Sequence, residues 1–182
     1  MSVKSDQSIH TAFFYGTLMA PDVFYTVCYG TKQVPKAIAD LHTFTPAILH
    51  GYCRRRVNGA VYPGMIKDDG HCVRGMYVTG LTRANVVKLD IFEGTQYDRQ
   101  KVKVRLLKEV GNAKGEGNVE GEEREAETYI YLDKDELEEK EWDFESFVKD
   151  DMKVWMGGSD EFFADAKHNS DEFFADGERK TL

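Results

Sequence analysis

Two short stretches of this chain carry residue types that could do chemistry. The first is Phe14-Tyr15-Gly16-Thr17-Leu18-Met19, an aromatic run broken by a glycine. A strand that ends in Gly at a loop can turn its backbone N–H groups toward an anion. Such donors grip a carboxylate without an arginine, and a helix starting near Pro21 would add its positive end. The same run also fits a strand followed by a plain turn, and pattern alone favours that. The second stretch is Leu89-Asp90-Ile91-Phe92-Glu93-Gly94, with Tyr97 and Arg99 after it. A carboxyl placed against apolar groups has a raised pKa, which suits a general base and acid near neutral pH. A solvent-exposed Glu93 paired with Arg99 or Lys101 fits the spacing too, and without other information is the reading to prefer.

Other reactive residue types argue less. Arg54-Arg55-Arg56 is a basic cluster in which alternation sets Arg55 opposite its neighbours. It could meet an anionic ligand at a cavity mouth, but solvation or pairing with the many acidic side chains explains it better. His50, Cys53, His71 and Cys72 lack the paired spacing of a tetrahedral zinc site, and adjacent His71 and Cys72 would point to opposite faces of a strand. No metal site and no cofactor are expected. There is no Gly-x-Ser-x-Gly elbow and no phosphate loop. Tyr129 and Tyr131 share a strand face; one of them could line a cavity, though core packing is the better account.

The elements that must position these residues read as many short strands with few helices. Ala12–Tyr15 is a buried strand ending at Gly16, and Pro21 opens a helix with Val23, Phe24, Val27 and Cys28 on one side. Ala37 to His50 looks strand-like, bent at Pro46. Asn58-Gly59 between Tyr52 and Tyr62 is a two-residue hairpin signal. Gly75–Thr79 is a strand closed by Gly80. Thr82 caps a short helix that ends near Glu93-Gly94. Lys101–Leu107 alternates apolar and basic residues as a half-buried strand, with Thr128–Leu132 as its hairpin partner. Asp143 can cap a helix carrying Phe144, Phe147, Val148, Met152 and Trp155, which Gly157-Gly158 would end. The pattern gives an α+β domain, and its strand count and turn spacing suit a small mixed β-barrel with flanking helices.

The chain has 182 residues, 41% hydrophobic and 31% charged, with a formal net charge of -8. That size supports one buried core. The acidic balance argues against a general nucleic-acid or anionic-membrane binder, because Lys and Arg hold such partners. Three cysteines form no disulfide pattern and fit a reducing compartment. No apolar signal segment or membrane span is evident, so a cytoplasmic protein is expected. A flexible start (1–10) precedes one domain (11–158). Within it, Gly111 to Glu127 is rich in Gly and Glu and is expected to be a mobile loop. An acidic, Phe-containing tail (159–182) repeats Ser-Asp-Glu-Phe-Phe-Ala-Asp at 159–165 and 170–176. The offset, close to three helical turns, would put both Phe pairs on one face, as a docked helix or a partner-binding segment.

Three segments in order carry a resemblance. Phe-Tyr-Gly-Thr-Leu-Met, Leu-Asp-x-Phe-Glu-Gly-x-x-Tyr-x-Arg and Glu-Trp-Asp-Phe-Glu-Ser-Phe, with Tyr62-Pro63-Gly64 and Gly75-Met76-Tyr77 between them, resemble the γ-glutamylcyclotransferase-like family. The nearest branch is the plant and fungal avirulence-induced-gene proteins. The resemblance runs from about Phe13 to Trp155. It implies a helix-decorated β-barrel, a cavity lined by Tyr15, Gly16, Thr17, Leu18 and Met19, and Glu93 as the catalytic carboxyl. Tyr97 and Tyr131 are further cavity candidates. The implied reaction turns a γ-glutamyl compound into 5-oxoproline plus a free amine. Several amine-specific relatives carry a basic residue after Tyr-Gly-Thr-Leu; Met19 here departs from them and fits the avirulence-induced branch. A non-catalytic protein that binds a γ-glutamyl-like metabolite or a protein partner is the alternative; Glu93 favours the enzyme, and the Phe-rich tail mildly favours the alternative.

Overall fold

The computed structural model describes residues 8–112 and 114–151. Among these, six strands make one mixed sheet: β1 (His10–Phe14), β2 (Phe44–Val57), β3 (Pro63–Leu81), β4 (Tyr97–Glu109), β5 (Val119–Tyr131) and β6 (Leu137–Glu141). Their order is β3-β1-β5-β4-β2-β6, and β3 also pairs with β2. Five strands therefore close a ring, with β6 appended outside it on β2. Two of the ring's joints are short: β1 meets β5 in parallel at Ala12↔Glu127, and β2 meets β4 at Ala47↔Leu106 and Ile48↔Arg105. The long β2–β3 hairpin turns at Asn58-Gly59, where Gly59 takes the left-handed φ of 73° that the tight turn requires.

The unbroken apolar run of β1 follows from burial on both faces. Phe13 and Tyr15 point into the ring with Leu49, Met65, Val73 and Val104. Phe14 points outward, under α1 (Pro21–Tyr29) and α3 (Arg83–Glu93), and packs with Phe24, Val78 and Leu89. Pro at the first position starts α1, and Gly30 in the left-handed conformation ends it. At α3, the Thr82 hydroxyl accepts from the Asn85 amide while the Asn85 side chain accepts from the Thr82 amide. This reciprocal cap fixes where the helix begins, and hence where Glu93 falls at its end. Among the described residues, no helix is long and apolar enough to cross a membrane.

Three local expectations change. Lys36–Ala39 is a one-turn helix, α2, rather than strand; Pro35 enters it and β2 begins only at Phe44. The stretch Gly111–Glu127 is not one loop, because Val119–Glu127 belongs to β5. The Glu-rich sequence forms strand because β4 opposes it with cations: Lys101 lies 3.4 Å from Glu125 and Lys103 3.7 Å from Glu123, while Ala126 fills the ring side. Only the turn between Glu109 and Val119 remains, tied by Gly111 N–H to the Asn118 side chain at 2.7 Å. Finally, Asp143 does cap a helix, α4, but α4 spans only Phe144–Ser146 and continues as a wider turn, Phe147–Asp151. Met152, Trp155, Gly157-Gly158 and the repeated tail lie outside the described residues.

Candidate active site

β1 delivers Tyr15 to the rim of the ring, and the chain then leaves it through a single 3-10 turn, Thr17–Met19. Tyr15 is anchored in the core: its hydroxyl donates to the Tyr129 main-chain carbonyl at 2.5 Å. Gly16 passes so close to Pro63 that an added Cβ would stand 3.0 Å from the proline ring, so the position suits a residue without one. Among the described residues, nothing accepts a hydrogen bond from the amides of Gly16, Thr17 or Leu18.

Glu93 arrives from the other direction, as the last residue of α3. It and the Tyr15–Leu18 segment line one cavity of about 150 Å³, with Tyr62, Phe92, Gln96, Tyr97 and Tyr129 completing the wall. Among the described residues that line it, Glu93 is the only one with a formally charged side chain. The residue as a whole is half-buried, and the burial falls on its carboxyl. Loss of water, then the nearby Asp90 carboxylate, pushes its pKa up to about 8. Among the described residues it makes no hydrogen bond or ion pair, unlike an exposed glutamate held by Arg99 or Lys101.

Asp90, one turn earlier on α3, is held in place by three donors. Tyr129 Oη donates to it at 2.7 Å, and Arg99 donates through Nε at 2.9 Å and a second nitrogen at 3.3 Å. Arg99 also meets Glu127, whose other oxygen contacts His10 at 2.9 Å. Arg99, which the sequence offered as a partner for Glu93, thus serves Asp90 instead.

Most of the expected site residues converge. Tyr15, Gly16, Thr17, Leu18, Glu93 and Tyr97 share the cavity. Two do not. Met19 faces a separate cavity with Arg54 and Trp142, because the 3-10 turn carries it round to the other side of the loop. Tyr131 packs with Val57 and Leu137, its ring edge-on to Tyr97 at 5.0 Å and its hydroxyl on Glu136 at 2.5 Å. Of the two tyrosines on that strand face, Tyr129 is the one at the cavity. Tyr97 is fixed by a 2.8 Å bond to the Pro63 carbonyl. The arginine cluster also divides: Arg55 lies 3.8 Å from Asp68 and Arg56 is exposed and bonds the Ala60 carbonyl, but Arg54 turns inward beneath the loop.

The family described as gamma-glutamyl cyclotransferase, AIG2-like, matches residues 12–144. The chain is similar to Protein AIG2 C of Arabidopsis thaliana, 30% identical over 79% of this chain and 75% of that one. It is equally similar to AIG2-like protein C of the same plant, 30% identical over 87% and 80%. A solution structure from Arabidopsis thaliana superposes with a TM-score of 0.52 at 27% identity, covering 100% of this chain and 93% of that one. A second, at 23% identity and a TM-score of 0.53, covers 86% and 92% and shares the fold. The chain belongs to the gamma-glutamyl cyclotransferase, AIG2-like family.

Proposed function

We propose that this protein is a γ-glutamylcyclotransferase, releasing 5-oxoproline and a free amine from a γ-glutamyl amine or peptide. The observation that carries the reading is the shared cavity: a carboxyl with a raised pKa lines it together with a loop whose amides find no acceptor among the described residues. We read the closed ring of strands as the small barrel that holds this cavity.

In the proposed reaction, the substrate's α-carboxylate sits on the amides of Gly16, Thr17 and Leu18. Glu93, ionised, takes a proton from the α-ammonium. The freed amine attacks the substrate's own γ-carbonyl carbon and closes a five-membered ring. The bond from that carbon to the departing nitrogen then breaks, Glu93 returns its proton to the leaving amine, and the second proton shed by the ring nitrogen passes to that amine, which departs as an ammonium ion. Because nucleophile and electrophile are already tethered, the step asks for orientation more than for a strong nucleophile. No covalent enzyme intermediate, metal or cofactor enters the scheme. The aromatic wall keeps the carboxyl short of water, which is what gives it affinity for a proton near neutral pH.

A panel of γ-glutamyl amino acids, peptides and amines assayed for 5-oxoproline tests this. At least one should be turned over by the native chain, and Glu93→Gln should lose about 10²–10⁴-fold in rate with binding kept. Wild-type rates in that variant would remove Glu93 from the mechanism. A compound bound but never turned over would leave a non-catalytic binding pocket as the account.

A further inference from the structure

Beneath the Tyr15–Met19 segment lies a second cavity, of about 480 Å³, lined by Met19, Arg54, Arg74, Trp142 and Asp143 among others. Arg54 reaches from its wall to the loop. The Arg54 Nη1 donates to the Tyr15 carbonyl at 2.7 Å and to the Arg74 carbonyl at 3.0 Å, and it lies 3.9 Å from Met19 Sδ. Its guanidinium carbon stands 5.3 Å from the Trp142 ring centre. Its Nε is buried and finds no hydrogen-bond partner among the described residues. Burial, opposed by the Glu141 carboxylate and reinforced by Arg74, lowers its pKa to about 10. A buried cation with an unmet donor costs folding energy that an apolar side chain of similar size would avoid. Such a group is suited to a task other than stability.

Geometry identifies the task. The Tyr15–Gly16 peptide is trans, and in a planar trans peptide the carbonyl and the N–H point in opposite directions. Arg54 draws the carbonyl to its own side of the loop. The Gly16 N–H is thereby turned to the other side, where Gly16 lines the Glu93 cavity. A cation on the carbonyl also polarises the peptide and strengthens its N–H as a donor.

We infer that Arg54 is a positioning residue: it holds the Tyr15–Gly16 peptide so that the Gly16 amide faces the Glu93 cavity as an anion donor. That the anion is a γ-glutamyl α-carboxylate rests on the function proposed above; the orientation of the peptide does not.

The test uses the full chain with Arg54→Met, which keeps an apolar stem but removes the donors and the charge, and Arg54→Lys, which keeps a charge without the planar fork. Thermal unfolding establishes that each folds. In the ligand-free protein, the residual dipolar coupling of the Gly16 N–H should change in Arg54→Met while those of β4 and α3 stay. An unchanged coupling in the folded variant overturns the inference. With any γ-glutamyl compound that the native chain turns over, Arg54→Met should raise KM about 10–100-fold and alter kcat far less, as expected from weakening one charge-assisted contact, with Arg54→Lys restoring part of the loss. A native KM in Arg54→Met also overturns it. Should Arg54→Met fail to fold, Arg54→Lys decides: native Gly16 coupling and native KM together sink the inference. If the native chain turns over no γ-glutamyl compound, the functional reading fails, and the Gly16 coupling alone judges Arg54.

Discussion

Tyr15 and Tyr129 are joined by a 2.5 Å hydrogen bond from the Tyr15 hydroxyl to the Tyr129 main-chain carbonyl, while the Tyr129 side chain holds Asp90 on α3. One residue of β5 thus touches both the anion-binding candidate loop and the helix that ends in Glu93. Tyr15→Phe keeps the ring and removes the bond. It should cost about 1 kcal/mol in urea unfolding, the usual net worth of one such bond, and the Met19 and Ala20 amides, which bond back to the Gly16 and Thr17 carbonyls, should exchange with solvent faster. A native midpoint with native exchange would show that the bond neither stabilises nor orders the loop.

The raised pKa of Glu93 fixes the sign of the pH dependence. A base must be ionised, so kcat/KM should climb as pH rises toward about 8 and level above it. Asp90 is a cause of that elevation, second to burial, by like-charge repulsion. Asp90→Asn should therefore move the climb to lower pH. A climb that stays in place after the substitution would mean that burial alone sets it.

The same elevation makes Glu93 a liability to the fold. Its carboxyl binds a proton in the native state up to about pH 8, whereas an unfolded glutamate releases it near 4.5. Between those values the native state holds the extra proton, so stability falls as pH rises. Glu93→Gln should raise the melting temperature by several degrees at pH 8 and hardly at all at pH 4.5. The limit is about 5 kcal/mol, from 1.36 kcal/mol per pKa unit. Equal effects at both pH values would contradict a buried, titrating carboxyl.

Shortening the connection between β4 and β5 distinguishes its two parts. Replacing 112–117 by Asn-Gly should cost less than about 1 kcal/mol, since surface turns tolerate such changes. Deleting 121–126 removes the Glu123 and Glu125 partners of Lys103 and Lys101, together with buried Ala126. That deletion should abolish cooperative denaturation. Cooperative unfolding at the native midpoint would return the segment to the status of a loop.

What could be read in the sequence was what local rules decide. The Thr82 cap, the Glu93-Gly94 stop, the Asn58-Gly59 turn and the strand ending at Gly16 each depend on neighbours within a few residues. The illegible parts depend on distant ones. Glu120–Glu127 looks like solvated linker until β4 sets lysines opposite it. Nothing in Arg54-Arg55-Arg56 says which guanidinium turns inward; the β2–β3 pairing and Trp142 decide that. Met19 continues the motif in sequence but leaves the cavity in space, because a 3-10 turn advances each residue by about 120°. Tyr129 was visible only as one of a pair, and its bond to Asp90 had no local signal.

Ring closure has a bearing on how this chain behaves in company. A sheet whose strands pair all round offers no long row of free amides and carbonyls to a neighbouring molecule. Among the described residues the free borders are the stretches of β4 and β5 beyond their short joints to β2 and β1, and that of β6, which has β2 on one side only. That strand is five residues long and reads Leu-Glu-Glu-Lys-Glu. Brevity and a mostly acidic sequence discourage strand-to-strand recruitment at the β6 border, as the lysines and glutamates along β4 and β5 do at theirs.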